Sequence, residues 1–317
     1  MVSLIMTVLN EKETLPQWFR SYAEQSKKAD ELVIVDGGSI DSTWDYLQEM
    51  KNSLTELKIV MAPGNIAYGR NVAISAASGD IIVVTDAGCV YASDWLDRLT
   101  QPLLTATEKW STTGFAPWFL PGDGLLTYLI AAATIPWQDE FRLDWSPSSR
   151  SVAFRRSLWE NVGGYPEWIP YCEDVIFDKQ IEKQEGRPFY IREPLVFWRP
   201  RFTIKTYLRQ LFNYTKSEGH GMLNTERQLV RYGVYFGAMT LLILGIRYSA
   251  VWFVVLLMGA SVYMPKFYLR WWKFTNKKNF FIQVVGLLFV PLVVLIGDIG
   301  KMAGYPVGLY ERIIGKV

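Results

Sequence analysis

The sequence predicts an α/β domain built on a mostly parallel sheet with flanking helices, followed by C-terminal membrane helices. Three observations support this fold class. Short apolar runs alternate with amphipathic helical stretches over the first two hundred residues, an order typical of parallel sheets. Polar residues follow several of these runs, at the strand ends where such sheets bind ligands. After Arg231 the composition shifts to long apolar runs.

The N-terminal part contains the predicted strands and helices in alternation. Strands are predicted at residues 2–8, 32–35, 57–61 and 81–85. Apolar residues at helical spacing predict helices at residues 15–22 and 44–50. We expect residues 1–9 to hold the first strand rather than a signal peptide, because they have no basic flank and no small-residue cleavage site.

The composition excludes several classes of protein. The net charge of +2 over 317 residues does not favour nucleic-acid binding. Two cysteines, Cys89 and Cys172, form no disulfide framework and indicate a reducing compartment. The single histidine, His220, excludes a three-histidine metal site. The sequence has neither a nucleophile-elbow motif nor a Gly-x-Gly-x-x-Gly after the first strand, which disfavours a serine hydrolase and a dehydrogenase.

The C-terminal part is predicted to form a short membrane hairpin and one further membrane segment. Its apolar runs cover residues 233–246, 249–264 and 280–299, and about 20 apolar residues cross a bilayer. One continuous span over residues 235–262 would bury Arg247 near mid-bilayer, at about 2.5–3.5 kcal/mol. We therefore expect Arg247 at a turn between two shorter segments. The alternative is a buried helical core in a soluble domain.

Acidic residues at two strand ends are candidates for ligand binding. Asp36 begins Asp-Gly-Gly-Ser and can accept a hydrogen bond from a ribose or a base, while the glycines permit close approach. Asp86 can hold a divalent ion that bridges diphosphate oxygens. For both acids the alternative is a turn or a helix cap. Arg70, in a segment predicted to open a helix at Gly69, could meet a base or phosphate, or pair with a surface acid.

Two helical stretches carry further candidates. Glu173 and Asp174 precede a helical stretch over residues 175–183. The carboxylate of either residue could remove a proton from an acceptor hydroxyl. The helix dipole favours acids at this position, so both could equally be caps. The basic, aromatic stretch over residues 203–218 includes Arg209 and Gln210. It could face a diphosphate or a lipid phosphate, or it could lie on an anionic membrane surface.

Five segments in order resemble glycosyltransferase family 2, which has the Rossmann-like GT-A fold. They are TVLNE at Thr7, VDGGSIDST at Val35, GRNVAISAASGDIIVVTDAG at Gly69, FRRSLWENVGGYPE at Phe154 and CEDVIFDKQIEK at Cys172. The C-terminal part is similar to the membrane-bound bacterial branch that builds exopolysaccharide, which includes the succinoglycan glucosyltransferases.

The resemblance implies an inverting hexosyltransferase-like enzyme. The basic stretch after Pro265, which a hairpin returns to the side of the N-terminal domain, favours the cytoplasmic face of the cell membrane for that domain. The enzyme would move a sugar from a nucleoside-diphosphate-sugar to a lipid-linked or saccharide acceptor. The residues implied to lie near the nucleoside are Thr7, Glu11, Asp36 and Arg70. Asp86 would bind Mg²⁺ or Mn²⁺, and Asp174, beside Glu173, would be the catalytic base.

The sequence departs from the family pattern in two places. The second acid of the Asp-x-Asp metal motif is Gly88, and only Gln210 and Tyr214 match the Gln-x-x-Arg-Trp motif of processive relatives. The second departure favours transfer of single sugars. Two alternatives stay open: a polyprenyl-phosphate sugar synthase, and a catalytically inactive subunit that binds a sugar nucleotide.

The expected organisation has three parts. Residues 1–200 form the catalytic domain, residues 201–231 form a basic amphipathic interface region, and residues 232–317 form the membrane segments. Contacts with sugar or acceptor are expected within residues 115–145, where Trp137, Gln138, Asp139 and Glu140 are candidates. These four residues could equally be structural.

Overall fold

The computed structural model describes residues 1–105, 108–137, 140 and 147–316, so Gln138 and Asp139 lie outside the described residues. The chain divides into two compact units. The N-terminal unit comprises Met1–Trp118 and Gln138–Arg199, and the C-terminal unit comprises Phe119–Trp137 and Pro200–Val317.

The N-terminal unit is built on one mixed sheet of eight strands in the order β3-β2-β1-β4-β7-β6-β8-β5. The strands are β1 Val2–Val8, β2 Glu31–Asp36, β3 Leu57–Met61, β4 Ile81–Asp86, β5 Cys89–Tyr91, β6 Trp110–Pro117, β7 Ser151–Arg155 and β8 Phe189–Trp198. Strands β1 to β4 are mutually parallel, as predicted, and β6 pairs with β8 in parallel. Strands β5 and β7 pair antiparallel to their neighbours.

The helices of this unit cover both faces of the sheet. They are α1 Leu15–Ala23, α2 Thr43–Ser53, α3 Ile66–Ala76, α4 Trp95–Thr105, α6 Arg156–Val162 and α7 Glu173–Glu185. Alternate residues of β1 enter different clusters: Leu4 packs with Trp18 and Trp95, whereas Ile5 packs with Ile74. Burial of both faces explains why these strands are continuous apolar runs.

One predicted helix start is wrong. The motif at Gly69 was expected to open a helix, but α3 begins at Ile66. The side chain of Asn65 accepts a hydrogen bond from Tyr68 N and caps this helix. Side-chain oxygens of this type satisfy the unpaired amides of a first turn. Arg70 therefore lies in the second turn of α3.

The C-terminal unit is helical. Its helices are α5 Leu125–Thr134, α8 Ile204–Gly221, α9 Thr225–Arg247, α10 Val251–Tyr263, α11 Pro265–Phe274 and α12 Phe280–Ile313. Arg247 is the last residue of α9, so the predicted turn at this arginine is confirmed. Tyr235 of α9 and Tyr263 of α10 both donate hydrogen bonds to Asp298, at 2.9 and 2.5 Å, so α10 folds back along α9 as a hairpin.

Two helices of the described chain, α9 and α12, are long and apolar enough to cross a membrane. Helices α10 and α11 would make a third span only if they act together, across a bend of 50°. The segment predicted at residues 280–299 is longer than expected, because α12 continues to Ile313. The C-terminal extension of α12 packs on α8. Gly304 and Gly308 of α12 have no side chain, which lets the backbones of the two helices approach each other.

Candidate active site

The two predicted acids lie on either side of the end of β1. In the parallel register, Thr7 is beside Asp86 and Val8 is beside Asp36. Asp36 is the last residue of β2, and Asp86 is the last residue of β4. Parallel strands in register carry their carboxyl ends to the same edge, so both acids lie at the carboxyl edge of the sheet, as predicted. Ligand binding at this edge stays a prediction.

The loops that follow β1 and β2 are held together by hydrogen bonds. Asn10 N donates to Ser39 Oγ at 2.8 Å, and Asn10 Oδ1 accepts from Ile40 N at 2.9 Å. Glu11 N donates to Thr43 Oγ1 at 2.9 Å. Thr14 is the N-cap residue of α1, so Asn10 lies in the loop before that helix. The two loops thus form one wall, with Thr7 and Glu11 partly buried beside it.

Asp36 has one oxygen engaged and one without a partner. Its Oδ1 accepts from Gly38 N and Ser39 N at 2.9 and 2.7 Å, so the predicted turn exists. The side chain is fully buried, and Oδ2 has no hydrogen-bond partner among the described residues. A buried acceptor left unpaired costs about 1–3 kcal/mol. A ribose hydroxyl or a base N–H would satisfy it, so the turn and ligand interpretations are compatible.

Arg70 links three elements of the N-terminal unit. One guanidinium nitrogen bonds Glu173 Oε1 at the start of α7, and the other lies 3.2 Å from Asp86 Oδ1. The Arg70 side chain is 3% exposed, so its partners are not the surface acids that the sequence allowed. The preceding Gly69 permits this approach, since a Cβ there would lie 2.8 Å from Thr7 Cγ2.

A second arginine, which no sequence motif indicated, also lies near Asp86. Arg150 Nε is 3.8 Å from Asp86 Oδ2, and its guanidinium carbon is 4.2 Å from the ring centroid of Trp198. The antiparallel register of β4 and β7 places Thr85 opposite Ser151, which sets Arg150 beside Asp86. Only this long-range pairing identifies Arg150, because it lies outside every recognised segment.

The residues around Asp86 fit a cation that a diphosphate helps to hold. The described residues contain no group of three or more His, Cys, Asp or Glu arranged as metal ligands. A Cβ at Gly88 would meet nothing within 4 Å, so there is room beside Asp86. Magnesium is commonly bound through one or two carboxylates together with waters and phosphate oxygens. Asp86 can supply one such carboxylate.

Glu173 and Asp174 differ although they are adjacent. Glu173 is buried and forms an ion pair with Arg70. Burial raises the pKa of the Glu173 carboxyl, and the positive charge of Arg70 opposes that rise. Asp174 is half-buried, and its Oδ1 accepts from Val175 N at 2.9 Å. One turn later, Asp178 is fully buried, and burial raises its pKa well above the ordinary value. Asp174 is therefore the most accessible of these three acids.

Arg209 and Gln210 lie on α8 in the C-terminal unit. Gln210 is buried and donates to Tyr214 Oη at 3.0 Å. Arg209 is exposed. Successive residues of a helix point about 100° apart, so these neighbours serve different surfaces of α8. Their assignment to ligand binding stays a prediction.

The chain is similar in sequence to several known proteins. Residues 3–108 match the family described as Glycosyl transferase family 2. The undecaprenyl-phosphate 4-deoxy-4-formamido-L-arabinose transferase of Proteus mirabilis is 31% identical over 120 residues, 36% of each chain. The succinoglycan biosynthesis protein ExoA of Rhizobium meliloti is 24% identical over 209 residues, 61% of each chain.

A solved structure shows the same fold. The mannosyltransferase PcManGT of Pyrobaculum calidifontis, in complex with GDP-Man and Mn²⁺, matches with a TM-score of 0.55 at 18% identity, over 100% of this chain and 88% of that one.

The sheet, its helices and this structural match define a GT-A fold, as the sequence predicted. The match over residues 3–108 confirms the resemblance to glycosyltransferase family 2 that was drawn from the motifs. The matched parts span 36% and 61% of the two curated relatives.

Proposed function

We propose that this protein is an inverting glycosyltransferase that uses a nucleoside-diphosphate-sugar donor. One observation carries the proposal. At one edge of the sheet lie an unsatisfied buried acceptor on Asp36, a charge cluster around Asp86, and an accessible carboxylate on Asp174. These groups match the three needs of sugar transfer, namely nucleoside recognition, stabilisation of a departing diphosphate, and proton removal.

The donor would bind along the wall formed by the loops after β1 and β2. Asp36 Oδ2 would accept a hydrogen bond from the ribose or base, with Thr7 and Glu11 beside it. Asp86 would hold Mg²⁺ or Mn²⁺, a cation that would stabilise the negative charge of the leaving diphosphate. The guanidinium groups of Arg70 and Arg150 add positive charge next to Asp86.

Asp174 would act as the base. As the acceptor oxygen forms its bond to the anomeric carbon, the bond from that carbon to the diphosphate breaks and the acceptor's proton passes to Asp174. A single displacement of this kind inverts the configuration at the anomeric carbon. The buried pair of Glu173 with Arg70 fixes the first turn of α7, and with it the position of Asp174.

The acceptor is proposed to be lipid-linked or saccharide, at the cytoplasmic face of the membrane. The names of the two relatives, an undecaprenyl-phosphate transferase and a succinoglycan biosynthesis protein, support this acceptor class. Helices α9 and α12 support membrane attachment. In this proposal residues 1–200 are catalytic, residues 201–231 form the interface region with Arg209 and Gln210, and residues 232–317 attach the chain to the membrane.

The first experiment is to replace Asp174 by asparagine in the full chain. We expect transfer to fall about 10²–10⁴-fold while binding of nucleoside diphosphate persists, because only proton removal is lost. The control is Glu182→Gln, two turns further along α7, where the carboxylate pairs with exposed Arg187 at 3.3 Å. Release of nucleoside diphosphate from a panel of donors is the readout. Transfer within tenfold of the original would place the base elsewhere.

The same assay separates the alternatives. Bare polyprenyl phosphate as the preferred acceptor would identify a polyprenyl-phosphate sugar synthase. Donor binding without turnover on any acceptor would identify an inactive subunit. Asp86→Asn should weaken binding of nucleoside diphosphate and of the divalent cation together. Unchanged binding in chelator would contradict the metal assignment.

A further inference from the structure

A groove runs between α8 and α12 in the C-terminal unit. Its volume is about 310 Å³. The residues that line it are Lys205, Leu208, Arg209, Phe212, Ile299, Gly300 and Ala303. At Gly300 the two helices approach closely, since a Cβ there would lie 3.0 Å from Leu208 Cδ1. The groove is thus an apolar slot with two cations among its lining residues.

The two cations share one side of the groove and lack acidic partners. Lys205 and Arg209 are four residues apart on α8, so they occupy the same face of that helix. Both are exposed, and neither lies within 4 Å of a carboxylate in the described part of the chain. Lys216, further along α8, pairs with Glu311 of α12 at 2.8 Å. The C-terminal part of α8 therefore has a counter-ion, whereas the two cations whose apolar stems line the groove have none among the described residues.

An exposed apolar stripe on α12 leads into the groove. Leu288, Leu292, Leu295 and Ile299 recur at helical spacing and are 73%, 52%, 40% and 49% exposed. The first and the last are eleven steps apart along the helix, which is about 17 Å at 1.5 Å per residue. This length suits a hydrocarbon chain that lies along α12, with its charged end at Lys205 and Arg209.

We propose that this groove binds an anionic phospholipid of the surrounding bilayer. The phosphate would accept charge-assisted hydrogen bonds from Lys205 and Arg209, and an acyl chain would cover the stripe. The groove is open at the surface of the two helices, and every lining residue belongs to the C-terminal unit, whose helices α9 and α12 are long and apolar enough to cross a membrane. The proposal is independent of the proposed transferase activity.

The test uses the full chain in mixed micelles with equal phosphatidylcholine and phosphatidylglycerol, and native mass spectrometry counts the retained lipids. We expect the protein to retain phosphatidylglycerol preferentially. The double variant Lys205→Gln/Arg209→Gln should lose about 30-fold in affinity for it, since each basic residue near an anionic lipid contributes about fivefold. The control is Lys179→Gln/Lys183→Gln, an exposed basic pair at the same spacing on α7.

A second variant separates the groove from general surface charge. Ala303→Phe would fill the slot and leave both cations in place, so retention of phosphatidylglycerol should fall as well. Full retention by Ala303→Phe would show surface attraction alone and overturn the proposal. Retention unchanged by removal of both cations would also overturn it. Displacement of phosphatidylglycerol by polyprenyl phosphate at equal concentration would instead identify an acceptor site.

Discussion

Replacing Arg70 by glutamine should destabilise the N-terminal unit far more than replacing any surface arginine. The Arg70 and Glu173 side chains are 3% and 5% exposed, so the substitution leaves a buried carboxylate without its cation. Removing one partner of a buried ion pair costs about 3–5 kcal/mol. Because burial already raises the pKa of Glu173, the variant can take up a proton there. Its loss of stability should therefore shrink as the pH falls from 8 to 5.

Arg98→Gln is the matched control. Arg98 also lies near two acids, 2.9 Å from Glu193 and 3.8 Å from Asp94, but its side chain is 34% exposed and theirs are 61% and 51%. Exposed pairs of this kind contribute about 0–1 kcal/mol. The two variants thus remove the same side chain from similar ion pairs that differ in burial.

Thermal unfolding of the full chain in detergent, followed by near-ultraviolet circular dichroism, measures the difference. For a unit of this size, 1 kcal/mol shifts the midpoint by about 2–4 °C. We expect a fall of about 6–20 °C for Arg70→Gln and less than about 4 °C for the control. Adding Glu173→Gln to the Arg70 variant should restore part of the loss. Equal shifts for the two arginine variants would refute the argument from burial.

Two further predictions concern packing and pH. Burial alone would raise the pKa of Glu31, but hydrogen bonds led by that from Lys58 lower it to about 2. The Glu31 carboxylate should therefore contribute about 3 kcal/mol to the free energy of unfolding above pH 4.5, and this contribution is lost as the pH falls towards 2. Glu31→Gln should make stability less dependent on pH over that range, as followed by acid unfolding. Gly308→Ala should destabilise the C-terminal unit, because the new Cβ would collide with the carbonyl oxygen of Lys216. The control is Gly259→Ala, whose Cβ would have no atom within 4 Å and which should be neutral in the same thermal assay.

Local patterns predicted the first four strands because each is a short, mostly apolar run bounded by polar or turn-forming residues. They also placed Asp36 and Asp86, since the end of a strand is visible in the sequence. The partners of Arg70 could not be predicted, because they depend on how α3 and α7 pack against the sheet. Arg150 was missed for the same kind of reason: its place beside Asp86 depends on the register of β4 with β7.

The order of strands has a consequence for synthesis of the chain. Strand β7 lies between β4 and β6, so the middle of the sheet is completed by residues made about 70 positions after β4. At about 5–20 residues per second, ribosomes need on the order of 4–14 s to cover that interval. Throughout it, the nascent chain presents the unpaired edge of β4, a surface on which other strands can add. Translation pauses inside that interval should therefore increase the fraction of chains that aggregate before folding is complete.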